Sequence, residues 1–183
     1  MSVRFQDRTD WGAGPWDDEP DRVEWHDGDL PCLALRNRLG AWCGYVAVPP
    51  GHPWHGISYM GCLKGHGSDC YEHSIPAEVH GGLTFAGECQ PHDDETAAEA
   101  ICHVPRPGEP DNVWWLGFDT AHAWDFVPGV AAMDRKLGFS SLDNGAIYRN
   151  LRYVQAEVAD LARQVRDADA DPGVTAGHMK GDA

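Results

Sequence analysis

The chain has 183 residues, which suits one domain with one hydrophobic core, because domains cluster at about 100 to 150 residues. Hydrophobic residues make up 42% of it and charged residues 23%, so a wholly disordered or fibrous chain is excluded. The formal net charge of −15 disfavours binding to nucleic acid and to anionic lipid, since both are themselves negatively charged.

The N-terminal sequence MSVRFQDRTD lacks the basic and then apolar pattern of a signal peptide. No stretch approaches the roughly 20 apolar residues that cross a bilayer, so we expect a cytoplasmic protein that does not bind membranes. A reducing cytoplasm would keep cysteines as thiols or metal ligands, whereas an exported chain could form three disulfides. The six cysteines are Cys32, Cys43, Cys62, Cys70, Cys89 and Cys102.

Residues 1–29 carry nine acidic side chains and three arginines, interrupted by glycine and proline. This composition predicts an acidic N-terminal arm, extended or loosely ordered, ahead of a single globular domain over 30–168. The small polar residues of 169–183 predict a flexible tail. Tryptophan is usually buried, so the arm is expected to pack over the core through Trp11, Trp16 and Trp25.

Short apolar runs predict the strands. The runs 32–37 and 41–49 are separated by Arg38–Gly40 and predict a β-hairpin. Two more runs, 78–87 and 113–126, are also rich in β-prone residues. Because loops and not helices separate these runs, we expect a small, mostly antiparallel sheet of four or five strands. The segment 49–76, rich in proline and glycine, predicts a long loop.

One C-terminal amphipathic helix is predicted over residues 146–168. Asp143 or Asn144 is the expected N-cap, and Pro172 stops the chain after the helix. The fold class is therefore α+β, with the helix across one face of the sheet. The apolar stripe consists of Ile147, Leu151, Val154, Val158, Leu161 and Val165.

His80 is the first candidate for chemistry, because Gly81 and Gly82 follow it in an expected strand. Paired glycines indicate a bulge or a close backbone approach, and they leave amides open to an anion or oxyanion. The alternative is a bulged strand in which the histidine is simply hydrogen-bonded within the sheet.

Asp119, His122 and Asp125 form the second candidate, at the exit of the most apolar run. Residues three apart face opposite ways in a strand, so the three converge only if the strand ends near Phe118 and a tight turn follows. Imidazole with carboxylates suits Zn²⁺ or Mn²⁺ and also acid and base catalysis. Alternatively, Asp119 caps the turn and Asp125 is a surface acid.

Two uses of these residues remain open, and the sequence does not decide whether the protein is an enzyme. In the first, a polar cleft binds a small ligand such as a nucleotide-like one, which stacks on tryptophans taken from Trp54, Trp114, Trp115 and Trp124. The expected ligand-binding residues are His80, Gly81, Gly82, Trp115, Asp119, His122 and Asp125.

In the second use, a divalent metal assists hydrolysis under a lid formed by 49–76. The candidate metal ligands are His80, Asp119, His122 and Asp125, and the candidate catalytic residues are His80 and His122. The pairs Cys70/His73 and Cys89/His92 loosely resemble zinc knuckles, although the chain has no C-x-x-C pair.

From Trp42 to Gln164 the chain resembles a family of small uncharacterised proteins found in actinobacterial phages and their hosts. The resemblance lies in WCGYVAVPPGHPWHG, in His80–Thr84, in the loop Pro107–Asn112, in Gly117–Asp125 and in YRNLRYVQAEVADLARQ. It implies a phage-type accessory protein, whose partner would be a small molecule or a host protein.

One departure from this family concerns a possible nucleophile. Thr120 stands where the family often has cysteine, which argues against a cysteine mechanism at that position. The acidic surface adds a further alternative, in which the protein binds and blocks a basic host partner.

Overall fold

A computed structural model describes residues 2–60, 75–90, 92–93, 96–139 and 145–170. The described residues contain strands β1 (Ser2–Val3), β2 (Arg22–Asp27), β3 (Leu30–Arg36), β4 (Trp42–Val48), β5 (Phe85–Gly87) and β6 (Trp114–Asp119). They also contain a 3₁₀ turn at Pro15–Asp18 and helices α1 (Pro128–Leu137) and α2 (Leu151–Ala170).

The six strands form one sheet in the order β1-β2-β3-β4-β6-β5, and every neighbouring pair is antiparallel. The predicted α+β class is confirmed. The predicted β3–β4 hairpin is also present, closed by hydrogen bonds between Asn37 and Ala41 and from Gly40 to Asn37. Gly40 has a φ of +93°, a left-handed conformation that glycine adopts without steric cost.

Helix α2 covers one face of the sheet, as the apolar stripe predicts. Val154, Val158, Leu161 and Val165 are buried there against Leu116, Phe118 and other side chains of the sheet. The opposite face carries a second buried cluster, whose members are Leu33, Leu35, Tyr45, Ala47, Ile101, Val113 and Trp115. The sheet is thus apolar on both faces, which explains the nearly continuous burial of β3 and β4.

The predicted start of the C-terminal helix is wrong, because α2 begins at Leu151. The side chain of Asn150 accepts a 2.9 Å hydrogen bond from the backbone N–H of Tyr153 and caps the helix. Ile147 precedes the helix, is exposed and bridges to Asp125, so it is not part of the buried stripe. The expected caps Asp143 and Asn144 lie outside the described residues.

Helix α1 was not predicted from the sequence. Its apolar residues do not share one buried face: Pro128, Gly129 and Ala132 are buried, whereas Val130 and Met133 are exposed. A helix whose apolar residues point both ways gives no clear amphipathic pattern.

Part of the acidic N-terminal segment belongs to the sheet. Strand β2 pairs along its whole length with β3, and β1 pairs with β2, so the sheet has six strands and not the expected four or five. Trp11 and Trp16 are buried in a third cluster with Ala132 of α1, which confirms that they pack on the body of the protein. Pairing with β3 satisfies the backbone groups of β2, so the acidic composition does not keep this segment extended in solvent.

A buried charge network joins this segment to the hairpin. Arg36 is fully buried, and its guanidinium lies 3.0 Å from Asp21 Oδ1 and 2.6 Å from Glu19 Oε2. The other Asp21 oxygen accepts the backbone N–H groups of Phe5 and Gln6, each at 2.8 Å. Each buried charge therefore has a partner of opposite charge, which is the condition for tolerating charges inside a protein.

Glu19 extends this network to the start of α2. Its Oε2 accepts the Tyr148 hydroxyl at 2.6 Å, and its Oε1 accepts the Leu151 N–H at 2.8 Å. Burial alone would raise the pKa of Glu19, but hydrogen bonds from Tyr148, Leu151, Trp42 and Arg36 outweigh it and lower the pKa.

One pair of cysteines forms a disulfide, whereas free thiols or metal ligands were expected for a cytoplasmic protein. Cys89 and Cys102 form a disulfide, with Cα atoms 4.7 Å apart, so Cys89 does not join His92 in a zinc site. Cys32 and Cys43 are free, and burial raises the pKa of each to about 12. Cys62, Cys70 and His73 lie outside the described residues. Among the described helices, none is long and apolar enough to cross a membrane.

Replacing Leu161 with Ala should destabilise the protein by about 2 to 5 kcal/mol, because it opens a cavity between α2 and the sheet. Urea unfolding measures this change. Arg152→Ala, at an exposed position on the same helix, is the control and should stay within about 0.5 kcal/mol. Equal small losses at both positions would contradict the packing of α2 described above.

Glu19→Gln should flatten the acid limb of the stability profile. Because the folded-state pKa of Glu19 lies below its ordinary value of 4.5, its ionisation stabilises the fold fully above that value. This contribution is lost as the pH falls from 4.5 through the lower folded-state pKa. Urea unfolding between about pH 3 and 7 tests this, with exposed Glu88→Gln as control. Parallel profiles for Glu19→Gln and wild type would contradict it.

Candidate functional site

His80, His122 and Asp125 come together at one end of the sheet beside α2. The Nε2 atom of His80 lies 2.7 Å from Asp125 Oδ2, and the two imidazole ring centroids are 5.5 Å apart. One candidate ligand atom from each of the three side chains lies within 4.8 Å of the others. The structure thus unites the two sequence segments that were singled out separately.

His80 lies in a turn and not in a strand, so its predicted strand position is wrong. The turn is closed by a 2.9 Å hydrogen bond from Gly82 N to the Val79 carbonyl, and β5 begins only at Phe85. Helix α2 fixes the histidine: Tyr153 Oη lies 2.9 Å from His80 Nδ1, and Glu157 accepts the His80 backbone N–H at 2.9 Å.

Gly81 makes the close approach that the paired glycines predict. Its φ is +68°, and a Cβ atom added there would lie 2.2 Å from the His122 ring. Gly82 also has a positive φ, +86°, but a Cβ atom there would meet nothing within 4 Å. Only Gly81 is therefore required by the packing of the His122 ring.

The turn after β6 brings His122 back towards Asp125. Strand β6 ends at Asp119, next to Phe118, as the predicted site requires. The Asp125 N–H donates to the His122 carbonyl at 3.1 Å, and the His122 N–H donates to Asp125 Oδ2 at 3.1 Å. Trp124, inside this turn, has a φ of +74°, which is strained for a residue with a side chain.

Asp125 is the buried acceptor at the centre of the site. Its Oδ2 faces His80 and the His122 N–H, and its Oδ1 accepts Arg149 Nε at 2.9 Å. Burial alone would raise the pKa of Asp125, but hydrogen bonds from His80 and Arg149 outweigh it and lower the pKa. Asp125 is therefore held as a carboxylate, and its alternative interpretation as a surface acid is wrong.

His122 is the incompletely satisfied member. Its Nδ1 atom is buried without a hydrogen-bond partner among the described residues. The nearest carboxylate oxygens are Asp119 Oδ1 at 3.8 Å and Asp125 Oδ2 at 3.9 Å, both too far for a hydrogen bond. Asp119 also accepts the Ala121 N–H at 2.9 Å. It therefore caps the turn, as the alternative interpretation of Asp119 predicts.

Trp115 does not belong to the site. It is buried in the cluster on the opposite face of the sheet, where its ring contacts His103. Trp54 is buried in the main core, and Trp114 is tied to the Ile57 carbonyl through its indole N–H. Trp124 is largely exposed. The predicted aromatic wall for a flat ligand is therefore not assembled from these residues.

Three further residues contact the site and were not predicted from the sequence as site residues: Arg149, Tyr153 and Glu157. They lie on or just before α2, where polar residues at these positions look like an ordinary exposed helix face. Their spacing of four residues, which places them on one side of a helix, is the only local signal.

Comparison with protein-family models, curated proteins and solved structures found no match to this chain.

Gly81→Ala should displace the His122 ring and destabilise the protein by more than about 2 kcal/mol, because backbone strain and a steric clash add. Gly82→Ala is the matched control and should cost only about 1 kcal/mol, from backbone strain alone. Urea unfolding gives the stabilities, and the NMR signals of the His122 ring report its position. Unchanged His122 signals in Gly81→Ala would contradict the described packing.

Proposed function

We propose that the protein binds one divalent metal ion through His80 Nε2, His122 Nδ1 and Asp125 Oδ2, and that the ion supports hydrolytic chemistry. The observation that carries this proposal is the buried Nδ1 of His122. It has no hydrogen-bond partner in the part of the chain that the structure describes, and it belongs to a group whose ligand atoms lie within 4.8 Å of one another. A buried polar atom without a partner is costly, and a bound cation would satisfy it.

The distances in the site suit a metal ion after small side-chain movements. Ligand atoms bound tetrahedrally at about 2.0 to 2.1 Å lie about 3.3 Å from one another. The observed separations from Asp125 Oδ2 are 2.7 Å to His80 and 3.9 Å to His122, on either side of that value. Two imidazoles and one carboxylate are also a ligand set that Zn²⁺ accepts.

Neighbouring residues already orient these candidate ligands. Tyr153 Oη lies at hydrogen-bond distance from the second ring nitrogen of His80, and Arg149 donates to the second oxygen of Asp125. Metal-binding histidines and carboxylates in proteins are usually held by such contacts. Glu157, which accepts the His80 N–H, holds the backbone of the same turn.

Metal binding would require the other tautomer of His80. Without metal, the 2.7 Å contact between His80 Nε2 and Asp125 Oδ2 is a hydrogen bond that contains one proton. With Nε2 on a metal ion, the ring proton lies on Nδ1 and is donated to Tyr153 Oη, so neutral His80 keeps its one proton. Metal affinity should still fall as the pH falls, because protons compete with the metal for the imidazole and carboxylate ligand atoms.

Three protein ligands leave a coordination position for water. A bound metal lowers the pKa of such a water towards neutrality and provides hydroxide to attack an ester or phosphoester. Asp119, whose carboxylate lies 3.8 Å from His122, is the nearest further group that could ligate the metal or accept a proton from water.

The other functions expected from the sequence have less structural support. A nucleotide-like ligand would lack the expected aromatic wall, because Trp115 lies across the sheet from His80. The phage-type accessory role rests on the resemblance, and binding of a basic host protein rests on the net charge of −15. A cytoplasmic location stays a proposal, and the Cys89–Cys102 disulfide argues against a reducing compartment.

Dialysis against Zn²⁺ or Mn²⁺, followed by elemental analysis, tests the metal site. Wild-type protein should retain about one equivalent and gain thermal stability, whereas His122→Ala should lose both effects. His122→Ala itself should change the free energy of unfolding by only about 1 to 2 kcal/mol.

His26→Ala is the matched control, because His26 also pairs with a carboxylate, Glu109 at 3.0 Å, and is not in the proposed site. It should bind metal as the wild type does. Retention of less than about a tenth of an equivalent by wild type, or equal binding by His122→Ala, would overturn the proposal.

A further inference from the structure

We infer that the metal site also binds an oxyanion, a phosphoryl or carboxylate group of the substrate, between the metal ion and the guanidinium of Arg149. This inference rests on the proposed function, because it assigns the substrate class of the same site. It follows from the contacts of Arg149 and from the sum of charges around Asp125.

Arg149 is held in place by only part of its guanidinium. Its Nε atom donates to Asp125 Oδ1 at 2.9 Å, and its Cζ atom lies 4.9 Å from the centroid of the Tyr153 ring. Its two Nη nitrogens have no hydrogen-bond partner among the described residues, and the side chain is 24% exposed. A fixed arginine whose two Nη amino groups are free is suited to bidentate binding of an oxyanion.

Asp125 connects Arg149 to the metal position. One oxygen of its carboxylate faces Arg149, and the other faces His80 and the His122 backbone. A metal ion bound to Oδ2 would therefore be separated from the guanidinium on Oδ1 by a single carboxylate group. An oxyanion can then be bound by the metal and by the Arg149 Nη groups together, as in many sites that act on phosphoryl oxygens.

The charges around the site predict the order of binding. Asp119, Asp125 and Glu157 are carboxylates at or beside the cluster, and Arg149 is the guanidinium in contact with it. Taking these as three negative charges and one positive charge, the metal-free site has a net charge of −2 and repels anions. A divalent ion brings this sum to zero, so an oxyanion should bind more tightly when the metal is present.

The test measures metal affinity with and without inorganic phosphate, and separately with acetate, by isothermal titration of the full chain. In wild type, phosphate or acetate should tighten metal binding by about tenfold, and the metal should tighten binding of the anion by the same factor. A stronger effect of phosphate identifies a phosphoryl group, and a stronger effect of acetate identifies a carboxylate. Each anion should therefore bind the metal-free protein about tenfold more weakly than the metal-loaded protein.

Arg149→Gln should abolish this coupling: phosphate or acetate should change its metal affinity by less than about twofold. Arg152→Gln removes the same charge three residues later, from an exposed position, and should keep the full coupling. Arg149→Lys keeps the charge but loses the planar fork, so its coupling should be intermediate.

The outcomes separate the two proposals. Wild-type protein that binds metal without any coupling to either anion overturns the oxyanion inference and leaves the metal site intact. Coupling that survives in Arg149→Gln, or is lost equally in Arg152→Gln, also overturns it. Absence of metal binding in every buffer overturns the proposed function itself, and with it the oxyanion inference.

Discussion

The ion pairs of the buried Arg36 guanidinium join the N-terminal segment, the β3–β4 hairpin and, through Glu19, the start of α2. A lone charge inside a protein is too costly to keep, so Arg36 requires acidic partners, and it finds them in Glu19 and Asp21. Both partners come from the acidic N-terminal segment, which is thereby fixed to the sheet. Removing both partners would leave the buried guanidinium unpaired, which typically costs about 3 to 5 kcal/mol. The acidic segment is therefore part of the fold and not only a source of surface charge.

The same network reaches the candidate site through Glu19. This carboxylate binds the Tyr148 hydroxyl and the first N–H of α2, and so fixes where the helix starts. Arg149 and Tyr153, next to those contacts, hold Asp125 and His80. Acid that protonates Glu19 therefore loosens the support of the site as well as the fold. The Arg36–Glu19 network and the His80–Asp125 cluster are thus connected through residues 148–153, at the start of α2.

The site itself combines well-satisfied groups with one that is not. Asp125 accepts three donors, and its lowered pKa keeps it ionised. Among the described residues His122 Nδ1 has no hydrogen-bond partner, because the Gly81 backbone lies against the ring and the carboxylates of Asp119 and Asp125 lie beyond hydrogen-bond distance. Ordinary buried networks satisfy all their members, since an orphan nitrogen is costly. Both nitrogens of His103 are also buried without a partner among the described residues, so the proposed cation rests on the His122 nitrogen together with ligand atoms that lie within 4.8 Å of one another.

Local apolar periodicity and turn residues were enough to predict the α+β class, the β3–β4 hairpin and the buried face of α2. Residue types also indicated His80, His122 and Asp125 as candidates. The position of Trp115 on the other face, and the support that Arg149 and Tyr153 give to the site, follow from tertiary packing. The contacting side chains are separated by 24 to 73 residues in the sequence. Strand alternation and helix packing bring them together, and a local sequence pattern cannot predict contacts over such separations. The burial of the acidic segment likewise depended on Arg36, a partner distant in sequence.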